Sequence, residues 1–250
     1  MNEIKTNNLN ANFIENNNLI INADDFGKDK LINEAIVYCL NNNLINSTSL
    51  MVGEPGFQEA ISSINNFGYK NIGLHVNLTE GKPLSTFEAD CFLQENGDWD
   101  PNKVWSPNLL KKEISKKFEA EIVFQLEKMA DSILFPNHIN SHHHIHTTPF
   151  LFPVFLKVAL KFKIKLRLCQ SYYENSYFKY YYRVGINQII KSNRLAFSDS
   201  FESLNSWNSR KQMLRAKKIE IMVHPMFLQD YSKIIDSWEN VDLIEQLCFE

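Results

Sequence analysis

The feature that most constrains the fold is an alternation repeated along the chain, in which short apolar runs of strand length are each followed by a segment with helical periodicity. "NLIINADDFG" opens it, with a buried strand expected over Leu19–Ala23 and a break at Gly27. The next segment, through Leu40, sets Leu31, Ile32, Ala35, Ile36 and Cys39 on one helical face. "STSLMVG" and "NIGLHVNL" read as strands flanking a helix over about Phe57 to Asn66. From Thr86 to Pro107 the periodicity lapses, which reads as an inserted loop, and loops of this length in compact domains commonly carry function. Leu110, Ile114, Phe118, Ile122, Leu126, Met129 and Ile133 then recur every three or four residues, the clearest amphipathic helix in the chain.

A strand from about His138, a helix from Pro149 to about Phe162 and a strand in "IKLRLCQ" continue the pattern. A loop and helix in "YYENSYFKYYYRVGINQII", a strand in "RLAFSDS", a helix in "NSRKQMLRAKK" and a strand in "IEIMVHP" complete it. Alternation of this kind predicts a single α/β domain with a mainly parallel sheet, open or closed into a barrel. With 250 residues and no Gly/Ser linker, one domain over 19–250 is expected behind a polar, Asn-rich, flexible leader over 1–18.

A net charge of −3 argues against nucleic acid or an anionic membrane as the main partner, since both demand a basic surface. No run approaches the roughly 20 apolar residues of a membrane span, and the leader lacks the basic start and apolar core of a signal peptide. Cys39, Cys91, Cys169 and Cys248 form no CxxC pair and are expected as buried thiols in a reducing compartment, so the expected location is the cytoplasm.

Chemistry-bearing residues gather at the C-terminal ends of the expected strands: Asp24 and Asp25, His75, His142 and His224. In α/β barrels and open α/β sheets, functional groups collect at this edge. Adjacent carboxylates resist burial, so Asp24-Asp25 must be solvated, capping a helix or neutralised by a cation. Asp25 as a helix cap, with Gly27 easing the turn, is one reading. A lone strand histidine such as His75 is more often a core residue than a ligand, and its partners decide.

In "HINSHHHIH", an extended strand would put His138, Asn140, His142, His144 and His146 on one side and His143 on the other. Several imidazoles on one face suit Zn, Fe or Mn, and the spacing leaves open which of them bind. His224 ends an apolar strand and is either a general acid or a hydrogen-bonded core residue. A carboxylate and two histidines from three strand ends make a facial metal site, with a second carboxylate to take a proton and a histidine opposite to give one.

On these residues the chain resembles the YdjC-like carbohydrate deacetylases, which remove acetyl groups from N-acetylated sugars such as chitooligosaccharides. The matching stretches are "NADDFG", "GLHVNLTEGKPL", "SHHHIH" and "HPMF", with "INSTSLMV" and "LRL" also fitting, from about Leu19 to about Leu228. The resemblance implies a deformed (β/α) barrel, related in mechanism to the NodB-like polysaccharide deacetylases. It implies one divalent metal ion, Mg or Zn first and Mn, Co or Ni otherwise, held by Asp25, His75 and His142. It makes Asp24 the catalytic base and His224 the general acid, with a metal-activated water attacking the acetamide carbonyl.

The expected partner is an N-acetylated mono- or oligosaccharide, and a homodimer is compatible with the family. Members usually carry an acidic residue where this chain has Asn140. That departure supports an alternative, a sugar-binding or regulatory member without turnover. Another metal-dependent hydrolase, such as a phosphoesterase, is disfavoured because no phosphate-binding loop or basic clamp accompanies the motifs. Arg167, in the strand after the histidine run, is read as orienting Asp24. Trp99, Trp105, Tyr172, Tyr173 and Phe201 are read as a platform for sugar rings, as core or as dimer surface.

Overall fold

Seven of the apolar runs become parallel strands, as helix-connected strands must when each returns to the same edge. The computed structural model describes residues 18–170, 172, 176–211, 218–228 and 231–247. Strands β1 (Leu19–Phe26), β2 (Ser47–Leu50), β3 (Ile72–Val76), β4 (His138–Ser141), β5 (Lys165–Leu166), β6 (Ser200–Ser203) and β7 (Ile219–Val223) form one sheet of order β5-β4-β3-β2-β1-β7-β6. The sheet curls, and Leu166 at one edge also bridges Ala196, just ahead of β6 at the other. The expected deformed barrel is therefore a curled sheet of parallel strands in a single α/β domain.

Helices α1 (Lys30–Asn41), α2 (Phe57–Phe67), α3 (Lys112–Ser132), α4 (Phe152–Phe162), α5 (Tyr177–Ser192) and α6 (Leu204–Arg210) alternate with these strands. β1, β3 and β7 are buried at every position, as befits strands enclosed on both faces. One set of side chains, such as Ile21, Leu74, Ile139 and Ile221, packs in the apolar core. The alternate set is polar: Asn22, Asp24, Ser49, His75, Asn140 and Glu220 are all buried. A polar layer of this kind is tolerated only if its members bond to one another.

A second sheet of antiparallel strands, β8 (Pro225–Phe227), β9 (Ile234–Asp236) and β10 (Val241–Asp242), follows β7 and leads into helix α7 (Leu243–Leu247). It holds the segment around His224. Asp236 Oδ2 accepts from the His224 backbone N–H at 2.7 Å, while its Oδ1 accepts from Trp238 and Glu239 at 3.1 and 2.8 Å.

Several boundaries depart from the sequence reading. β1 runs on through both aspartates to Phe26, and α1 is capped by Asp29, which accepts from Ile32 N, so Asp25 is not the cap. Leu31 is exposed, and so is Leu110, which lies in a 3-10 turn before α3. α4 starts at Phe152 with Pro153 in its first turn, and β6 follows rather than includes most of "RLAFSDS". The helix expected in "NSRKQMLRAKK" begins earlier, at Leu204, and 212–217 lie outside the described residues. The leader lies outside them too, Asn18 excepted.

The stretch from Thr86 to Pro107 is not an open loop. It folds through short 3-10 turns, and its Trp99 is buried with the Phe87 ring at 4.7 Å and the Phe118 ring of α3 at 5.7 Å. Trp99 and Phe201 are thus core residues and not a sugar platform, whereas Trp105 is exposed. Tyr172 is half-buried and Tyr173 lies outside the described residues. Cys39 and Cys169 are buried, burial pushing the Cys169 thiol up to about 12, but Cys91 is exposed and Cys248 lies outside the described residues. Among the described residues no helix is long and apolar enough to cross a membrane.

Candidate metal centre and catalytic cleft

A regular strand would send Asp24 and Asp25 to opposite faces. The β1 register shifts between Ala23 and Phe26, and Asp25 takes a left-handed backbone conformation at φ 67°, a bulge that turns its carboxylate toward the cleft that Asp24 also lines. Gly27 completes the turn at φ 87°, where a Cβ would lie 2.7 Å from the Met51 carbonyl oxygen. The histidine run bends in a similar way. β4 stops at Ser141, and His143 and His144 adopt left-handed conformations at φ 53° and 52°.

The two-sided alternation expected of the histidines therefore fails. His142, His143 and His144 all line the cleft, while His146 lies behind it, with Ser141 Oγ 2.7 Å from its Nδ1. His143 does not face away: its ring lies 3.9 Å from that of His142. His138 sits deeper, stacked 3.9 Å from the Phe197 ring, in space left by Gly73.

All five residues singled out from the sequence, Asp24, Asp25, His75, His142 and His224, line this one cleft. Asp25 Oδ1 lies 3.1 Å from His75 Nε2 and 2.9 Å from His142 Nδ1. Neither contact has the angle of a hydrogen bond, so this buried oxygen has no donor among the described residues. The three ligand atoms lie within 4.8 Å of one another. A buried anionic oxygen facing two imidazole nitrogens without a donor fits a divalent cation of borderline softness.

Burial alone would raise the Asp25 pKa, but the two histidines hold it well below the ordinary carboxylate range. For His142, burial is outweighed by Asp25 and Glu80, which raise its pKa to about 9. Glu80 Oε1 lies 3.1 Å from His142 Nε2 and fixes the ring from the side away from Asp25. Glu80, His142 and His143 make a second cluster of potential ligands, but Lys28 Nζ sits 2.9 Å from Glu80 and supplies its positive charge.

Asp24 is held differently. Arg167, fully buried, donates to its Oδ2 at 2.5 Å and to its Oδ1 at 2.8 Å, and Asn22 and Ser49 donate to Oδ1 at 2.8 and 3.0 Å. Burial opposes ionisation here, but Arg167 outweighs it and keeps Asp24 well below the ordinary carboxylate range. Arg167 thus orients Asp24, as its place in the sequence suggested. Its Nε donates to Glu220 Oε1 at 2.7 Å, and burial raises the Glu220 pKa despite that contact.

His224 stands across the cleft with its ring 5.7 Å from Trp238 and its buried Nδ1 without a partner among the described residues. Sequence reasoning passed over Glu80, Glu220 and Trp238. Glu220 carried a signal, a lone charge in the apolar strand "IEIMV". Glu80 carried a weaker one, three residues beyond Asn77 in a motif already quoted, and nothing local marks Trp238.

A curled parallel sheet with carboxylates and imidazoles gathered at its C-terminal edge defines the class, a single-domain α/β protein with its cleft at that edge. The chain belongs to the YdjC-like protein family, whose profile matches residues 18–243. A carbohydrate deacetylase of Vibrio cholerae serotype O1 is 29% identical over 223 residues, 84% of this chain and 79% of that one. One of Clostridium beijerinckii is 28% identical over 225 residues, 88% and 84% of the respective chains. Among solved structures, a putative cellobiose-phosphate cleavage protein of Enterococcus faecalis V583 superposes with a TM-score of 0.69 at 21% identity, covering 93% of this chain and 90% of that one, a likeness of fold.

Proposed function

We propose that the protein is a divalent-metal-dependent N-deacetylase of N-acetylated mono- or oligosaccharides, of chitooligosaccharide type. The observation that carries this reading is the donorless buried Oδ1 of Asp25 between His75 and His142, with an ionised carboxylate beside it and a histidine across the cleft. The names of the relatives, carbohydrate deacetylases, supply the substrate class. Asp25, His75 and His142 would hold the cation, Mg or Zn in the first instance. When bound, the cation supplies Lewis-acid polarisation of the amide carbonyl and acidifies nearby water.

The chain's own residues do the rest. Arg167 keeps Asp24 ionised and aimed into the cleft, so its carboxylate accepts the proton that an attacking water must lose. His224 gives a proton to the departing amine, without which an amide nitrogen is a very poor leaving group. Stacking on Trp238 and the Asp236 bond to its backbone hold that ring in place. Acetate release from N-acetylglucosamine oligomers, assayed before and after chelation and with Asp24→Asn, tests the proposal. Release that stops on chelation and falls by about 100-fold or more in the variant is expected, and undiminished release in Asp24→Asn would overturn it.

A further inference from the structure

The two histidines facing Asp25 are served by opposite kinds of neighbour. His142 has a carboxylate, Glu80, 3.1 Å from Nε2, with Lys28 Nζ 3.4 Å from the same nitrogen, while its Nδ1 faces Asp25. His75 has the amide of Asn140, its register partner on β4, 2.8 Å from Nδ1, with the Ser49 hydroxyl farther off at 3.2 Å. One end of that amide lies 3.0 and 2.9 Å from the two Nη atoms of Arg167 and 3.1 Å from Ser49 Oγ, closer than the one pure acceptor there, Asp24 Oδ1 at 3.4 Å. A guanidinium has only donors, so this end is the oxygen. The NH2 end then faces His75 Nδ1 at 2.8 Å and the Leu74 carbonyl at 3.2 Å, and it has two hydrogens for these two acceptors. In this orientation Arg167 makes five contacts to acceptors, as many as it has N–H groups: one to Glu220, two to Asp24 and two to Asn140.

The geometry points to Asn140 as a tautomer lock on His75: its N–H bonds to Nδ1 and keeps the ring proton on Nε2, which lies 3.1 Å from Asp25 Oδ1 without the alignment of a hydrogen bond and which a cation would need bare. Uptake of a cation at that atom then requires the proton to leave Nε2 and return to Nδ1, with no net proton released, and the amide to turn over. Turning it sets the NH2 against Arg167, donor to donor, inside a buried layer. Asn140 is thus a positioning residue that weakens cation binding without touching the cation. The inference about affinity rests on the metal reading of Asp25, His75 and His142, whereas the tautomer itself does not.

Two measurements separate these. In metal-free wild-type protein with 15N-labelled histidine, long-range 1H–15N correlation at alkaline pH should show His75 as the Nε2–H form, and in Asn140→Asp as the Nδ1–H form. A carboxylate at 140 accepts from His75 and Arg167 at once, so Zn2+ titrated calorimetrically into metal-free protein should bind Asn140→Asp about tenfold or more tighter than wild type. His75 found as Nδ1–H in the metal-free wild type overturns the lock, whatever the deacetylase assay shows, and equal Zn2+ affinities overturn its consequence. An Nε2–H ring in a protein that releases acetate from no sugar would leave the lock standing and sink the proposed function instead.

Discussion

Replacing Arg167 by Met tests the buried network beneath the cleft. Arg167, Asp24 and Glu220 are each almost wholly buried, and the pairs are held at 2.5, 2.8 and 2.7 Å. Met has a similar reach and keeps the packing over the Phe201 ring, where the guanidinium carbon lies 4.7 Å from the centroid. The substitution removes the one cation between two carboxylates, and breaking a buried pair from one side costs about 3–5 kcal/mol. The pH dependence fixes the sign. In the wild type the Asp24 pKa is depressed, so its stabilisation is present above the unfolded value and is lost as pH falls through the folded one.

In Arg167→Met the same carboxylate has burial without a cation, so its folded pKa rises and acid relieves the penalty instead. Urea unfolding should therefore show a deficit of about 3–5 kcal/mol at pH 8 that shrinks toward about pH 5. A loss under about 1 kcal/mol, or a deficit unchanged across that range, would refute the reasoning.

Four further substitutions probe the packing, a helix cap and the candidate metal centre. Gly73→Ala places a Cβ 2.3 Å from the His138 ring, so thermal unfolding should reveal a loss of about 1–3 kcal/mol, and a neutral result would mean that ring is free to move. Trp99→Ala should cost about 3–5 kcal/mol in chemical denaturation because the ring is core, whereas a surface platform would lose sugar binding at unchanged stability. Asp29→Ala removes the α1 cap and should cost about 1 kcal/mol, measured the same way, while Asp25→Ala should instead abolish the thermal shift produced by added Zn2+.

The strand–helix alternation was legible because parallel strands buried on both faces leave short, mostly apolar runs, as "LIINA" and "IEIMV" do despite Asn22 and Glu220. The edge on which Asp24, Asp25, His75, His142 and His224 meet was legible for the same reason, since each lies at or near the C-terminal end of such a run. Less visible was backbone geometry that departs from the strand period. The bulge at Asp25 and the two left-handed histidines set who faces the cleft, and neither has a hydrophobic signature. Partners such as Glu80, Glu220 and Trp238 are contributed by contacts between distant segments. The 86–107 stretch misled because its apolar residues are too few and irregular for a period, yet Trp99 and Phe92 suffice to seal it onto Phe118.

The most direct test of the account is a titration of metal-free protein with Zn2+ or Mg2+ while acetate release from an N-acetylated sugar is recorded. Activity should appear with the cation, saturate at one per chain, and be missing in Asp25→Ala. Acetate release that is the same without the cation, or that survives in Asp25→Ala, would contradict the assignment of Asp25, His75 and His142 as the centre of the site.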